Sequence, residues 1–239
     1  MYNEKLVVLN SPKSPASEGY RTIRSNIQFS FLDSQIKRLM VTSSGPAEGK
    51  SVTSANLAAV FAQSGKKVIL MDCDLRKASQ HKLFGFSNHI GITNVLLGDA
   101  EIEQVLENVP NTSLQVITTG PIPPNPAEML GSKRMQAFLD ELDNYADIII
   151  LDTPPIIAVT DASLLAGSVD GVVMVVASNQ TNIDLAQKSK EQLLNANANI
   201  IGTVLNMVDE DSQDYYYYYY YGEKSKKKGK KSSGAAASL

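Results

Sequence analysis

The sequence predicts an α/β fold, a three-layer sandwich around a mainly parallel central sheet, and two observations predict it. Short apolar runs recur through residues 36–208, at Leu39-Met40-Val41, Lys67 to Met71, Leu114 to Ile117, Ile148 to Leu151, Gly171 to Val176 and Ile200 to Leu205. They are continuous rather than alternating, as in strands covered on both faces. Helical patterns fall between them, at Val52 to Gln63, Pro126 to Asn144, Asp161 to Ala166 and Ile183 to Asn195, and supply the crossovers that parallel pairing needs. Pro121-Ile122-Pro123-Pro124-Asn125-Pro126 reads as a rigid loop opening the second of these helices.

Ahead of the sheet, residues 1–15 hold two prolines and two serines and read as an extended arm. Residues 16–34 read as a helix, because Tyr20, Ile23, Ile27 and Phe31 are spaced as one apolar stripe. The organisation expected is therefore an N-terminal arm and helix over 1–35, a main domain over 36–208 and a tail over 209–239. The tail carries seven consecutive tyrosines, Tyr215 to Tyr221, then KSKKKGKK and a Ser/Gly/Ala end, with no pattern that could build a core.

Composition narrows the function classes. The 239 residues are 43% hydrophobic and 20% charged, which fits one large domain with appendages and excludes wholesale disorder. A single cysteine, Cys73, excludes a disulfide framework and makes a reducing, cytoplasmic setting the default. It reads as a small buried residue, whereas His81 and His89 read as surface residues and are too few for a histidine-rich metal site. No apolar run approaches the roughly 20 residues of a membrane helix, and Leu6 to Leu9 is too short for a leader peptide. The net charge of −3 is uneven: six lysines against Glu223 give residues 222–239 a local +5 and leave −8 on residues 1–221. An acidic body offers no basic groove, so nucleic acid is not expected as a partner. The cluster Lys224 to Lys231 is open to two readings, an anionic lipid surface or plain solubility.

Chemistry concentrates where apolar runs end. After the first run comes Ser44-Gly45-Pro46-Ala47-Glu48-Gly49-Lys50-Ser51, the spacing of a P-loop with Ser44 in place of the first glycine. In such a loop backbone N–H groups and the N-terminus of the next helix, here opening at Val52, face phosphates. Gly49 allows close approach, Lys50 reaches the outer phosphates, and the Ser51 hydroxyl can ligate Mg²⁺. A second run leads into Asp72-Cys73-Asp74-Leu75-Arg76, and a third into Asp152-Thr153-Pro154-Pro155, the latter matching a Walker B aspartate. Carboxyl ends of strands are where open α/β sheets bind ligands. The fold expected is thus a P-loop NTPase-like sandwich.

The co-occurrence of the P-loop, Asp-x-Asp-x-Arg and Asp-x-x-Pro resembles the bacterial protein-tyrosine kinases of exopolysaccharide and capsule assembly. Glu18-x-x-Arg21-x-x-Arg24 resembles that family's oligomerisation motif, and Tyr215, Tyr216, Tyr217, Tyr218, Tyr219, Tyr220 and Tyr221 its C-terminal tyrosine cluster. Partitioning and septum-positioning ATPases share the fold but carry a signature lysine where Gly45 stands. The resemblance implies ATP and Mg²⁺ as cofactors, Ser44, Gly45, Glu48, Gly49, Lys50, Ser51 and Val52 around the nucleotide, and Ser51, Asp74 and Asp152 around the metal. It implies Asp72 as the group that orients or deprotonates the incoming tyrosine, Arg76 either fixing the aspartates or contacting phosphate, and Asn206 at the adenine. It also implies phosphorylation of the tail in trans within a homo-oligomeric ring, protein substrates, a protein-tyrosine phosphatase and a transmembrane adaptor that activates the kinase at the inner face of the plasma membrane. Two readings compete with it: a nucleotide-gated scaffold, with the tail serving only for contact, and a partitioning-type ATPase acting on DNA or membrane.

Overall fold

The computed structural model describes residues 2–31 and 35–208. The tyrosine run, the lysine cluster and residues 32–34 at the end of the expected helix lie outside them. Strands β1 (Arg38–Ser43), β2 (Val68–Asp72), β3 (Glu107–Asn108), β4 (Leu114–Ile117), β5 (Ile148–Asp152), β6 (Gly171–Ala177) and β7 (Ile200–Asn206) form one sheet in the order β3-β4-β2-β5-β1-β6-β7. Every pairing is parallel except β3 with β4. The two-residue β3 was not legible as an apolar run, since Glu107 and Asn108 are polar.

Successive side chains of the central strands alternate between two cores. Leu39, Val41, Val68, Leu70, Ile148 and Ile150 face one side, where they meet α3 (Lys50–Gln63). Met40, Ile69, Met71, Ile149 and Leu151 face the other. There they meet α5 (Ile92–Leu97), α8 (Lys133–Leu142) and α9 (Asp161–Ala166). Burial on both faces is why these strands are apolar without interruption. The helix α3 is itself enclosed, residues 53–62 all being buried, because a further layer covers it.

That layer corrects the reading of residues 1–15 as extended. Val7–Asn10 forms a short helix, α1, and α2 spans Pro15–Phe29 behind the Ser14 N-cap. Leu6 and Val8 are fully buried. Asn56 on α3 accepts from the Val8 N–H at 3.0 Å and donates to the Lys5 carbonyl at 2.9 Å. Gln63 donates to the Val8 carbonyl at 3.1 Å. A segment this short builds no helical period of its own; it is held by partners on α3. Phe31 falls beyond the end of α2, so the stripe on that helix consists of Tyr20, Ile23 and Ile27.

The helix expected over Pro126 to Asn144 is two, α7 (Pro126–Leu130) and α8, broken at Gly131 with Ser132 capping the second through the Met135 N–H. Three helices carried no clear periodic signal: α4 (Gln80–Phe84), α5 and α6 (Ile102–Val105). The remaining crossovers, α9 and α10 (Ile183–Asn195), match the sequence pattern. Between α4 and α5 the chain passes very close to the end of β4. Ile92 and Thr93 N–H groups donate to the Thr118 and Thr119 carbonyls, and a Cβ on Gly91 would lie 2.2 Å from the Thr118 oxygen.

Candidate active site

Topology, not sequence proximity, assembles the site. Because β5 lies between β1 and β2, the carboxyl ends of all three strands are adjacent, with Asp72 in register with Asp152 and Val41 with Asp152. The loop from Ser44 to Gly49 follows β1 and turns into α3. Ala47 and Gly49 adopt left-handed conformations, φ +63° and +88°, and at Gly49 this comes without the penalty a Cβ would bring. The first N–H groups of α3 have no intrahelical acceptors and point out of its N-terminus. The buried Ser44 hydroxyl has no partner. Such a cradle of donors suits a phosphate group.

Lys50 donates to Asp74 at 3.0 Å and to the Ser51 hydroxyl at 3.2 Å. Burial works against its charge, but Asp152 and Asp74 outweigh that and hold its pKa above the ordinary lysine value. Asp152 is fully buried and accepts from Gln80 at 2.7 Å and Ser54 at 3.2 Å. Burial raises its pKa, opposed by the charge of Lys50. Among the described residues no group of three or more His, Cys, Asp and Glu side chains is arranged to hold a metal ion. The donor set here, one hydroxyl and carboxylates beside a phosphate cradle, is the kind that binds Mg²⁺ together with phosphate oxygens and water.

Asp72 stands at the same convergence, in register with Asp152. It is fully buried, and its two oxygens accept from the N–H groups of Ser79 and Gln80, both at 2.9 Å, and of Asp74 at 3.2 Å. In this state it shapes the 74–80 segment. Burial, then the charge of Asp152, pushes its pKa from 3.8 up to about 7. A carboxyl with a raised folded-state pKa stabilises the fold below its unfolded pKa, and that contribution is lost as pH rises through the folded value. The stability of wild type relative to Asp72→Asn should therefore fall between about pH 4 and 7, by an amount on the order of a few kcal/mol. Melting curves across that range check this; parallel profiles for the two proteins would contradict it.

The Arg76 guanidinium makes a two-pronged pair with the buried Asp161 at 2.8 and 3.0 Å. Asn206 donates to the Glu48 carbonyl at 3.0 Å, joining the end of β7 to the loop. The Glu48 side chain turns inward and accepts from the Thr181 hydroxyl at 2.5 Å. Gly45 lies against that carboxylate, and the Val52 carbonyl accepts from Asn56. Cys73 is buried, as its residue type suggested, whereas His81 is half-buried rather than a surface residue. On α2, Arg21 pairs with Glu18 at 2.5 Å and donates to the Pro12 carbonyl, while Arg24 reaches the Val60 carbonyl at 3.1 Å, so the three do not form one cluster within the chain. Gln80 and Asp161 are the site residues that sequence reasoning missed. Asp161 opens a legible helix, but Gln80 carries no sequence signal.

A seven-stranded, mainly parallel sheet with a glycine-turned phosphate loop between a central strand and a buried helix defines a nucleotide-binding P-loop NTPase. The sequence family described as ParA, NUBPL iron-transfer P-loop NTPase, matches residues 35–236. Within that class, the tyrosine-protein kinase YwqD of Bacillus subtilis is 47% identical over 201 residues, covering 84% of this chain and 85% of that protein. The tyrosine-protein kinase etk of Escherichia coli K12 is 35% identical over 86% of this chain, which spans 28% of that longer protein. Among solved structures, the chimerical protein CapA2B2 superposes with a TM-score of 0.83 at 39% identity, covering 86% of this chain and 91% of that one. The kinase domain of the E. coli tyrosine kinase ETK superposes at 0.82 with 31% identity, covering 100% and 87%. The chain belongs to the bacterial protein-tyrosine kinase family of capsule and exopolysaccharide systems, and it is a tyrosine-protein kinase. The septum-site protein MinD of Pyrococcus horikoshii, with a TM-score of 0.63 at 21% identity, shares the fold.

Proposed function

We propose that the protein transfers the γ-phosphoryl group of ATP to tyrosine hydroxyls, its own Tyr215 to Tyr221 among them, in trans within a homo-oligomer. In this reading it thereby regulates capsule or exopolysaccharide synthesis and export. The observation that carries the reading is the convergence of Lys50, Ser51, Asp74 and Asp152 at one edge of the sheet, in a chain of this family. MgATP supplies the transferable group and the cation that neutralises its charge. Lys50, now paired with Asp74, would face the outer phosphates, and Ser51, Asp152 and Asp74 would hold the cation. Asp72 would be the group that orients the tyrosine or accepts its proton, and a carboxyl titrating near 7 suits that task.

The other partners follow the same reading. Glu18 is exposed, so it and Arg21 can exchange their pairing within one helix for pairing across a subunit boundary. No helix among the described residues is long and apolar enough to cross a membrane. The family resemblance and the CapA2B2 chimera support a transmembrane activator as the partner that places the kinase at the membrane. A protein-tyrosine phosphatase resets the tail, and other proteins serve as further substrates. The test is intact mass after incubation with MgATP, with the adaptor's cytoplasmic segment present. The full chain should gain about 80 Da per site at several sites, and a chain truncated before Tyr215 should gain none at those positions. Nucleotide binding without any mass gain would favour a nucleotide-gated scaffold instead.

A further inference from the structure

Gln80 is fully buried, yet it belongs to no core cluster and its amide sits where the three strand ends meet. Its two amide hydrogens have two separate destinations. Nε2 donates to the carboxylate of Asp152 at 2.7 Å and to the backbone carbonyl of Ser51 at 3.0 Å. Its own backbone N–H is held by Asp72 at 2.9 Å, so the side chain starts from a fixed point at the beginning of α4. Turning the amide over would set an oxygen against two acceptors, so the orientation is determined by its partners. That leaves Oε1 buried with no partner. One side chain therefore ties the Ser51 carbonyl in α3's first turn to the end of β5, beside the bond that the Ser54 hydroxyl makes to Asp152 at 3.2 Å.

We infer that Gln80 is a positioning residue that sets the separation between Ser51 and Asp152, and so the gap that a divalent cation beside a bound nucleotide must bridge. The inference rests on the reading of Ser51 and Asp152 as the metal-holding pair. Residues that orient metal ligands through hydrogen bonds typically change metal affinity by about 10–100-fold when removed. An apolar side chain of similar length keeps the packing and removes both bonds, so Gln80→Met separates positioning from bulk.

The experiment is calorimetric titration of the full chain with ADP, once in excess EDTA and once in Mg²⁺, for wild type and Gln80→Met, with melting curves lacking nucleotide for each. Wild type should bind more tightly in Mg²⁺, and Gln80→Met should lose about tenfold or more of that gain while binding in EDTA stays within about twofold. An undiminished gain in the variant overturns the inference, as does an equal weakening in both buffers, which would make Gln80 only a support for the loop. Absence of a Mg²⁺ gain in wild type itself would instead remove the metal reading on which the inference stands. Should Gln80→Met not fold, Gln80→Leu is measured in the same way.

Discussion

Replacing Lys50 by methionine is expected to lower tyrosine phosphorylation by at least about 10²–10³-fold, the effect of removing one preorganised charge from a transition state. The geometry makes the expected effect severe. Lys50 stands beside Asp74, with Asp72 and Asp152 close enough to hold its charge, and methionine would leave those carboxylates to face an incoming polyanion. The same loss has a signature without nucleotide. Asp152, coupled to Asp72, then binds a proton more readily, so the variant's melting temperature should rise relative to wild type as pH is lowered from about 8 to 6. Phosphotyrosine content by intact mass, read beside the melting curves, checks both. Transfer within threefold of wild type would remove Lys50 from the reaction.

Gly91→Ala should destabilise the fold severely, although it adds only one methyl group. The φ of Gly91, −176°, is extended and open to any residue, so the obstacle is space alone. The new Cβ would meet the Thr118 carbonyl oxygen at 2.2 Å and the Gly120 nitrogen at 2.3 Å. These are backbone atoms at the end of β4, with no rotamer to escape into. Overpacking that side chains can absorb costs about 1–3 kcal/mol, so a cost at or above that upper end is expected. For a domain of this size that corresponds to a fall in Tm of about 6–12 °C. A Tm within about 2 °C of wild type would mean that the 88–94 turn lifts freely from β4.

What could be read from the sequence divides along physical lines. Runs such as Ile148-Ile149-Ile150-Leu151 are legible because a parallel strand buried on both faces demands apolar residues at every position. Lys50, Asp74 and Asp152 are legible because each follows such a run or a glycine-bearing turn. Gln80 and Asp161 are not, since their partners lie 72 and 85 residues away and are brought close only by the strand order. Asp72 illustrates the limit from the other side. Its location at a strand end was evident, but whether its carboxylate faces outward or caps the next segment depends on the path of residues 74–80. The break between α7 and α8 had a local signal, Gly131 followed by Ser132, and the apolar pattern on either side obscured it. Nothing local distinguishes Leu6 and Val8 from an extended arm, because what holds them is Asn56 and Gln63 on another element.

That seating of the first residues has a practical consequence for anyone handling the protein. A truncation beginning at residue 15 would strip Leu6 and Val8 from α3 and take from the Asn56 and Gln63 side chains the main-chain partners that Lys5 and Val8 now supply. The newly bared strip is apolar and lies along the helix that opens at the phosphate loop, so such a product should be sticky and prone to precipitate. Affinity tags are therefore better joined with a spacer ahead of Met1 than exchanged for the opening residues.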